Sequence, residues 1–116
     1  MLRAIASLLL VSGPAVADPP VVTRASAVAQ GTGWQFDVTL THPDTGWDHY
    51  ADAWRIETPD GTVLGERELA HPHVEEQPFT RSLSGVVLPD GLREVVIRPR
   101  CNTDGWSEAA FTLRLP

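Results

Sequence analysis

The stretch WQFDVTLT, residues 34–41, constrains the fold more than any other part of the chain. Trp34, Phe36, Val38 and Leu40 alternate with Gln35, Asp37, Thr39 and Thr41. A period of two puts one set on a buried face and the other in water, which a helix cannot do. The same habit recurs in 53–58, where Trp54 and Ile56 face inward. It recurs again in 79–88, with Phe79 and Leu83 inward, and in 108–115, with Phe111, Leu113 and Leu115 inward. Further strands are expected over 21–29, 62–69 and 93–101. Gly31-Thr32-Gly33, Pro59-Asp60-Gly61 and Pro89-Asp90-Gly91 supply turns between strands. About seven short strands with no helix of useful length predict an all-β fold, an immunoglobulin-like or fibronectin III-like antiparallel β-sandwich.

Residues 1–17 stand apart from this pattern. Met1 and Arg3 are followed by the apolar run AIASLLLV, a Gly13-Pro14 break and Ala15-Val16-Ala17, the small-x-small pattern of a signal peptidase site. Cleavage before Asp18 is expected, leaving a single domain over 18–116. The apolar run is too short for a bilayer-spanning helix, so no membrane insertion is expected after cleavage. The expected location is the periplasm or the exterior of the cell. Removing Arg3 leaves eight arginines against 15 acids, a net charge of 8 − 15 = −7. An acidic chain without basic clusters argues against nucleic acid as a partner. Cys101 is the only cysteine, so it has no internal disulfide partner.

If successive strands run antiparallel, the loops 42–52, 70–78 and 101–107 share one end of the sandwich. All four histidines fall in them, with Cys101, Trp47 and Trp106. The opposite end carries bare turns, and binding sites on sandwiches commonly use the loops of one end. Imidazole nitrogens and a thiolate are preferred ligands of transition metals. His42, His49, His71, His73 and Cys101 are therefore the candidate ligands of iron, copper or zinc. His71-Pro72-His73 in extended conformation would point both imidazoles to one side. Asp44, Asp52 and Asp104 are candidates to support the ligands, and Trp47, Tyr50 and Trp106 to shape access. Cys101 also shares an alternating face with Val95 and Ile97, which allows a core thiol instead. Ser82, Ser84 and Ser107 lack a nucleophile-elbow setting, so hydrolase chemistry finds no support. A different reading of the same rim is a non-catalytic binding or carrier module that contacts a periplasmic protein.

Two stretches resemble the superoxide reductases, neelaredoxin and the iron domain of desulfoferrodoxin. HPDTGWDHYADAWRIETPDGTVLGERELAH is similar to that family's histidine-bearing segment, and CNTDGWSEAAFTL to its closing CN-x-HG-LW motif. The HP-x-x-TG turn also resembles one in the sulfur-carrier sandwich subunits of thiosulfate oxidation. The first resemblance implies an immunoglobulin-like sandwich with iron at one end, held by four histidines and a thiolate and reducing superoxide at an open position. It gives His42 and His49 the place of two iron-binding histidines and Cys101 that of the thiolate. This sequence departs from the pattern at Asp104, which stands where a histidine is expected. It departs also in 21–30, which holds no histidine. His71 and His73 would restore the count.

Overall fold

The computed structural model describes residues 18–116; the leader expected over 1–17 lies outside them. The chain order is β1 (Val21–Gln30), β2 (Gly33–Thr41), β3 (Ala51–Glu57), β4 (Val63–Glu68), β5 (Phe79–Val86), β6 (Glu94–Cys101), β7 (Gly105–Trp106) and β8 (Phe111–Arg114). Two antiparallel sheets form, one ordered β1-β2-β5 and the other β4-β3-β6-β7, with β8 also pairing with β6. The architecture is an all-β sandwich, as the alternation predicts.

The inward set of β2 meets the inward sets of β3 and β6. Phe36, Val38, Leu40, Trp54, Ile56, Val95 and Ile97 are all fully buried in one cluster. Trp34, Leu83, Phe111 and Leu113 pack on its margins. Burying such side chains is the main favourable term in folding, at about 1.5–3 kcal/mol for each aliphatic or phenyl group.

The last expected strand, 108–115, is β8, but the loop expected over 101–107 holds a further short strand, β7. Gly105 turns with φ +75°, which suits a residue without a Cβ. The chain then folds back on the end of β6 as Cys101↔Gly105 and Arg100↔Trp106 before β8 begins. The N–H of Ser107 donates to the Pro99 carbonyl at 2.9 Å, closing the gap between these two pairings.

At the same end, β3 and β6 pair as Ala51↔Cys101 and Ala53↔Arg100, leaving Asp52 as one extra residue in β3. A bulge of this kind bends the strand and re-aims side chains near it. Here it leaves Ala51 on the core face opposite Cys101 and turns Ala53 to the outer face opposite Arg100, where it is still covered at 5% exposure. The loops after β2, β4 and β6 meet at this rim, where Asp44 contacts His73, His42 contacts Gln77, and Asn102 contacts Tyr50.

Candidate metal centre

His42 is the first residue past β2 and Cys101 the last of β6, so each is held by a strand end rather than by a free loop. His49 reaches them from a tight turn. Its N–H donates to the Gly46 carbonyl at 3.2 Å, and its own carbonyl accepts from Thr45 N–H at 3.0 Å. Gly46 adopts φ +141°, a region L side chains rarely occupy. One ligand atom from each of His42, His49 and Cys101 lies within 4.8 Å of the other two. The two imidazole rings meet edge to face with centroids 4.6 Å apart. His42 and Cys101 are buried, at 1% and 0% exposure, and His49 is half-buried.

Hydrogen bonds decide which atoms are free to bind. The Asp44 carboxylate can only accept, so His42 Nδ1, 2.5 Å from Asp44 Oδ1, carries the proton. Its lone pair is then on Nε2, which is buried and has no partner among the described residues. His49 Nε2 is likewise buried and unpartnered. Imidazole nitrogens and a thiol are donor types that transition metals take. A carboxylate that fixes the tautomer of a ligating histidine is the usual support for one. Ligands around a tetrahedral ion sit ~3.3–3.8 Å apart, so this set fits after closing by about 1 Å at its widest.

Asp44 is tied down from several directions. Its Oδ1 also accepts the Ala51 N–H at 3.0 Å, and Oδ2 accepts the His73 N–H at 2.8 Å. Gln77 completes the knot, accepting from His42 N–H at 3.0 Å and donating to the His73 carbonyl at 2.8 Å. A second clasp is Asn102. Its side chain accepts from Tyr50 N–H at 2.9 Å and donates to the Trp47 carbonyl at 3.0 Å. Its N–H donates to the Tyr50 carbonyl at 3.1 Å. Asn102 thus fastens the loop bearing His49 to the strand end bearing Cys101. Neither Gln77 nor Asn102 stood out in the sequence. The Asn next to Cys101 in CNTDGW was the one available signal.

His71 and His73 lie outside the three-residue group. Their rings do share a side, with centroids 4.5 Å apart, as the extended His-Pro-His predicts. But the His73 ring stacks on Phe79 at 3.9 Å, and its Nε2 lies 2.8 Å from Arg81 Nη2. A guanidinium can only donate, so that nitrogen's lone pair is consumed and the Nδ1 proton is left without a partner. Burial foremost, then the charges of Arg81 and His71, holds His73 below the ordinary imidazole range. His71 is exposed and its Nδ1 contacts the Pro72 carbonyl at 3.0 Å.

Two further expected residues face away from the cluster. Neighbouring residues of a strand point to opposite faces, so Arg100 is outward where Cys101 is inward. Trp106 pairs with Arg100, and the Arg55 guanidinium lies over its ring at 4.1 Å. Asp52 pairs with Arg100 on the same outer face. Burial foremost raises the Asp52 carboxyl above its ordinary range against the pull of Arg100. Trp47 is 66% exposed and meets Tyr50 edge to face at 5.5 Å, so it stands at the rim rather than plugging the core. Asp104 sits beside the sulfur. Its N–H points at Cys101 Sγ from 3.4 Å, and its Oδ2 lies 3.6 Å from the same atom.

No family model matches this chain. It is 44% identical over 85 residues to a protein of Halomicrobium mukohataei provisionally named a lipoprotein. The match covers 73% of this chain and 41% of that relative, so the chain spans under half the relative's length. Among solved structures it is similar to the crystal structure of a hypothetical protein from Pyrococcus horikoshii, with a TM-score of 0.54 and 14% identity. That likeness covers 84% of this chain and 88% of the other, and it speaks for the β-rich fold alone.

Proposed function

We propose that this chain is an exported β-sandwich protein that holds a transition-metal ion at its rim through His42, His49 and Cys101. The observation that carries the reading is the convergence of His42, His49 and Cys101, one ligand atom of each within 4.8 Å of the others, with both histidine Nε2 atoms buried and unpartnered among the described residues. Export is supported by the signal-like first 17 residues and by the lipoprotein name of the relative. The superoxide reductase resemblance, carried by His42, His49 and Cys101, favours iron and redox chemistry. The His₂Cys donor set suits copper or zinc as well.

The chain's own residues set what such a site does. Asp44 keeps the proton on His42 Nδ1 and the lone pair aimed at the ion. The surrounding core excludes water from the Cys101 side, since Ala51 and Leu40 are fully buried. Bound there, a redox-active ion supplies one-electron chemistry, while zinc supplies a Lewis acid or a structural clasp. Exposed Trp47 beside the site favours a second use of the same rim, as a contact for an exported protein partner.

The test is metal analysis of the untagged protein, wild type against His42→Ala and Cys101→Ala. The expected result is near-stoichiometric iron, copper or zinc in the wild type and its loss in both variants. For iron or copper, a thiolate charge-transfer band vanishes with Cys101→Ala. Uptake below about a tenth of an equivalent, even after titration, contradicts the reading.

A further inference from the structure

The three-ligand group leaves unexplained why a carboxylate is placed against the sulfur. Cys101 Sγ has three polar neighbours: Thr103 Oγ1 at 3.1 Å, the Asp104 N–H at 3.4 Å and Asp104 Oδ2 at 3.6 Å. The first two can act as donors, and hydrogen bonds to sulfur are a means by which proteins settle a thiolate. In the third, the Cys101 thiol donates to the carboxylate. A sulfur and a carboxylate oxygen this close need something positive between them, and in the metal-free protein that is the thiol proton, donated to Oδ2.

Two atoms held ~2.3 Å and ~2.1 Å from one tetrahedral ion, as for sulfur and oxygen ligands, stand ~3.6 Å apart. That matches the observed Sγ to Oδ2 separation of 3.6 Å. Asp104 stands outside the three residues whose ligand atoms lie within 4.8 Å of one another and touches the site through the sulfur. Resting on the proposed metal reading, we infer that it closes in as the fourth ligand, completing a His₂–Cys–carboxylate set. The entering ion takes the place of the thiol proton, which leaves to solvent, while sulfur and Oδ2 each donate an electron pair to it. No oxidation state changes in this step. The carboxylate also decides which ion is held. With the Cys101 thiolate and Asp44 behind His42, Asp104 brings the anionic groups around the site to three, which favours a divalent or trivalent cation over monovalent copper. Asp104 is itself exposed, on the turn Asn102–Asp104, so the position it closes is the one facing solvent.

The experiment titrates the exported protein with cobalt(II) chloride, then competes with zinc(II). It compares wild type with Asp104→Asn, Asp104→Ala and Asp104→His, and folding of each is verified by circular dichroism. The expected result is a fall of about 10- to 100-fold or more in cobalt and zinc affinity for Asp104→Asn and Asp104→Ala. The sulfur-to-cobalt band is retained in both, because Cys101 still binds. The visible cobalt bands weaken as a water enters the vacated position, and Asp104→His keeps tight binding by offering another ligand. Affinity and visible bands unchanged in Asp104→Asn and Asp104→Ala overturn the role of Asp104 alone. Absence of any cobalt uptake by the wild type overturns the underlying metal reading along with it.

Discussion

Asp44 is the residue through which the rim becomes a site rather than a set of loops. It lies two positions after His42, is itself buried, and accepts from one ring nitrogen and two backbone N–H groups. Those bonds give its oxygens partners in a place where an unpaired polar group would be costly. Replacing it by Asn keeps the shape but leaves one acceptor oxygen where two are used, so its NH2 faces either the His73 N–H or the His42 ring and the Ala51 N–H. Asp44→Asn is therefore expected to weaken zinc or cobalt binding about 10- to 100-fold, measured by competition with a chromophoric chelator. Equal affinity in variant and wild type counts against Asp44 as the group that aims His42. The spacing His42-Pro43-Asp44 was open to view in the sequence, yet a His-Pro-Asp turn reads equally as a polar surface loop. What the sequence could not disclose is that Asp44 is reached by backbone groups 7 and 29 residues away.

At the scale of elements, β3 and β6 form the platform on which Cys101 and the bulge at Asp52 are mounted, and Glu57 ties those two strands together. Its Oε2 accepts from Arg55 Nε at 2.6 Å and Arg98 Nε at 2.9 Å, and the residue is 2% exposed. Burial alone would raise its carboxyl, but the hydrogen bonds from Arg98 and Arg55 outweigh that and hold it below the ordinary value of 4.5. A lowered carboxyl gives stability that is full above the unfolded value and is lost as pH falls through the folded one. Glu57→Gln is thus expected to cost about 1.5–3 kcal/mol in urea unfolding at pH 7. The gap between variant and wild type should begin to narrow as pH drops below about 4.5 and go on closing as pH falls through the lower value of the folded carboxyl. A gap constant from pH 7 to pH 3 contradicts the charged triad. The strands themselves were legible because alternation is local: Trp34 to Leu40, Trp54 with Ile56, and Val95 with Ile97 all face as read. The short strand β7 within the loop expected over 101–107 was not, since it depends on Gly105 turning the chain back on β6.

For the whole molecule, the sandwich separates a plain end from a chemical one. Counting antiparallel strands was enough to bring the loops bearing His42, His49, His71, His73 and Cys101 to one rim, because that conclusion needs only strand parity. It was not enough to choose among the histidines. His73 is taken by Arg81, which lies on β5, and by the Phe79 ring; no pattern within His71-Pro72-His73 shows either contact. Trp106 and Asp52 were misplaced for a related reason. Their faces are set by register and by one bulged residue, and a shift of one residue exchanges the faces of a strand. What parity and the Cys-Asn motif did indicate, the joining of His42, His49 and Cys101, is the arrangement on which the functional proposal stands.

The most direct measurement is X-ray absorption spectroscopy at the metal edge of the protein loaded with one equivalent of zinc. The expected first shell contains one sulfur at ~2.3 Å with nitrogen and oxygen ligands at ~2.0–2.2 Å and the multiple-scattering pattern of imidazole. The sulfur contribution disappears in Cys101→Ala. A first shell of oxygen alone, or one unchanged by Cys101→Ala, contradicts a metal centre built from His42, His49 and Cys101.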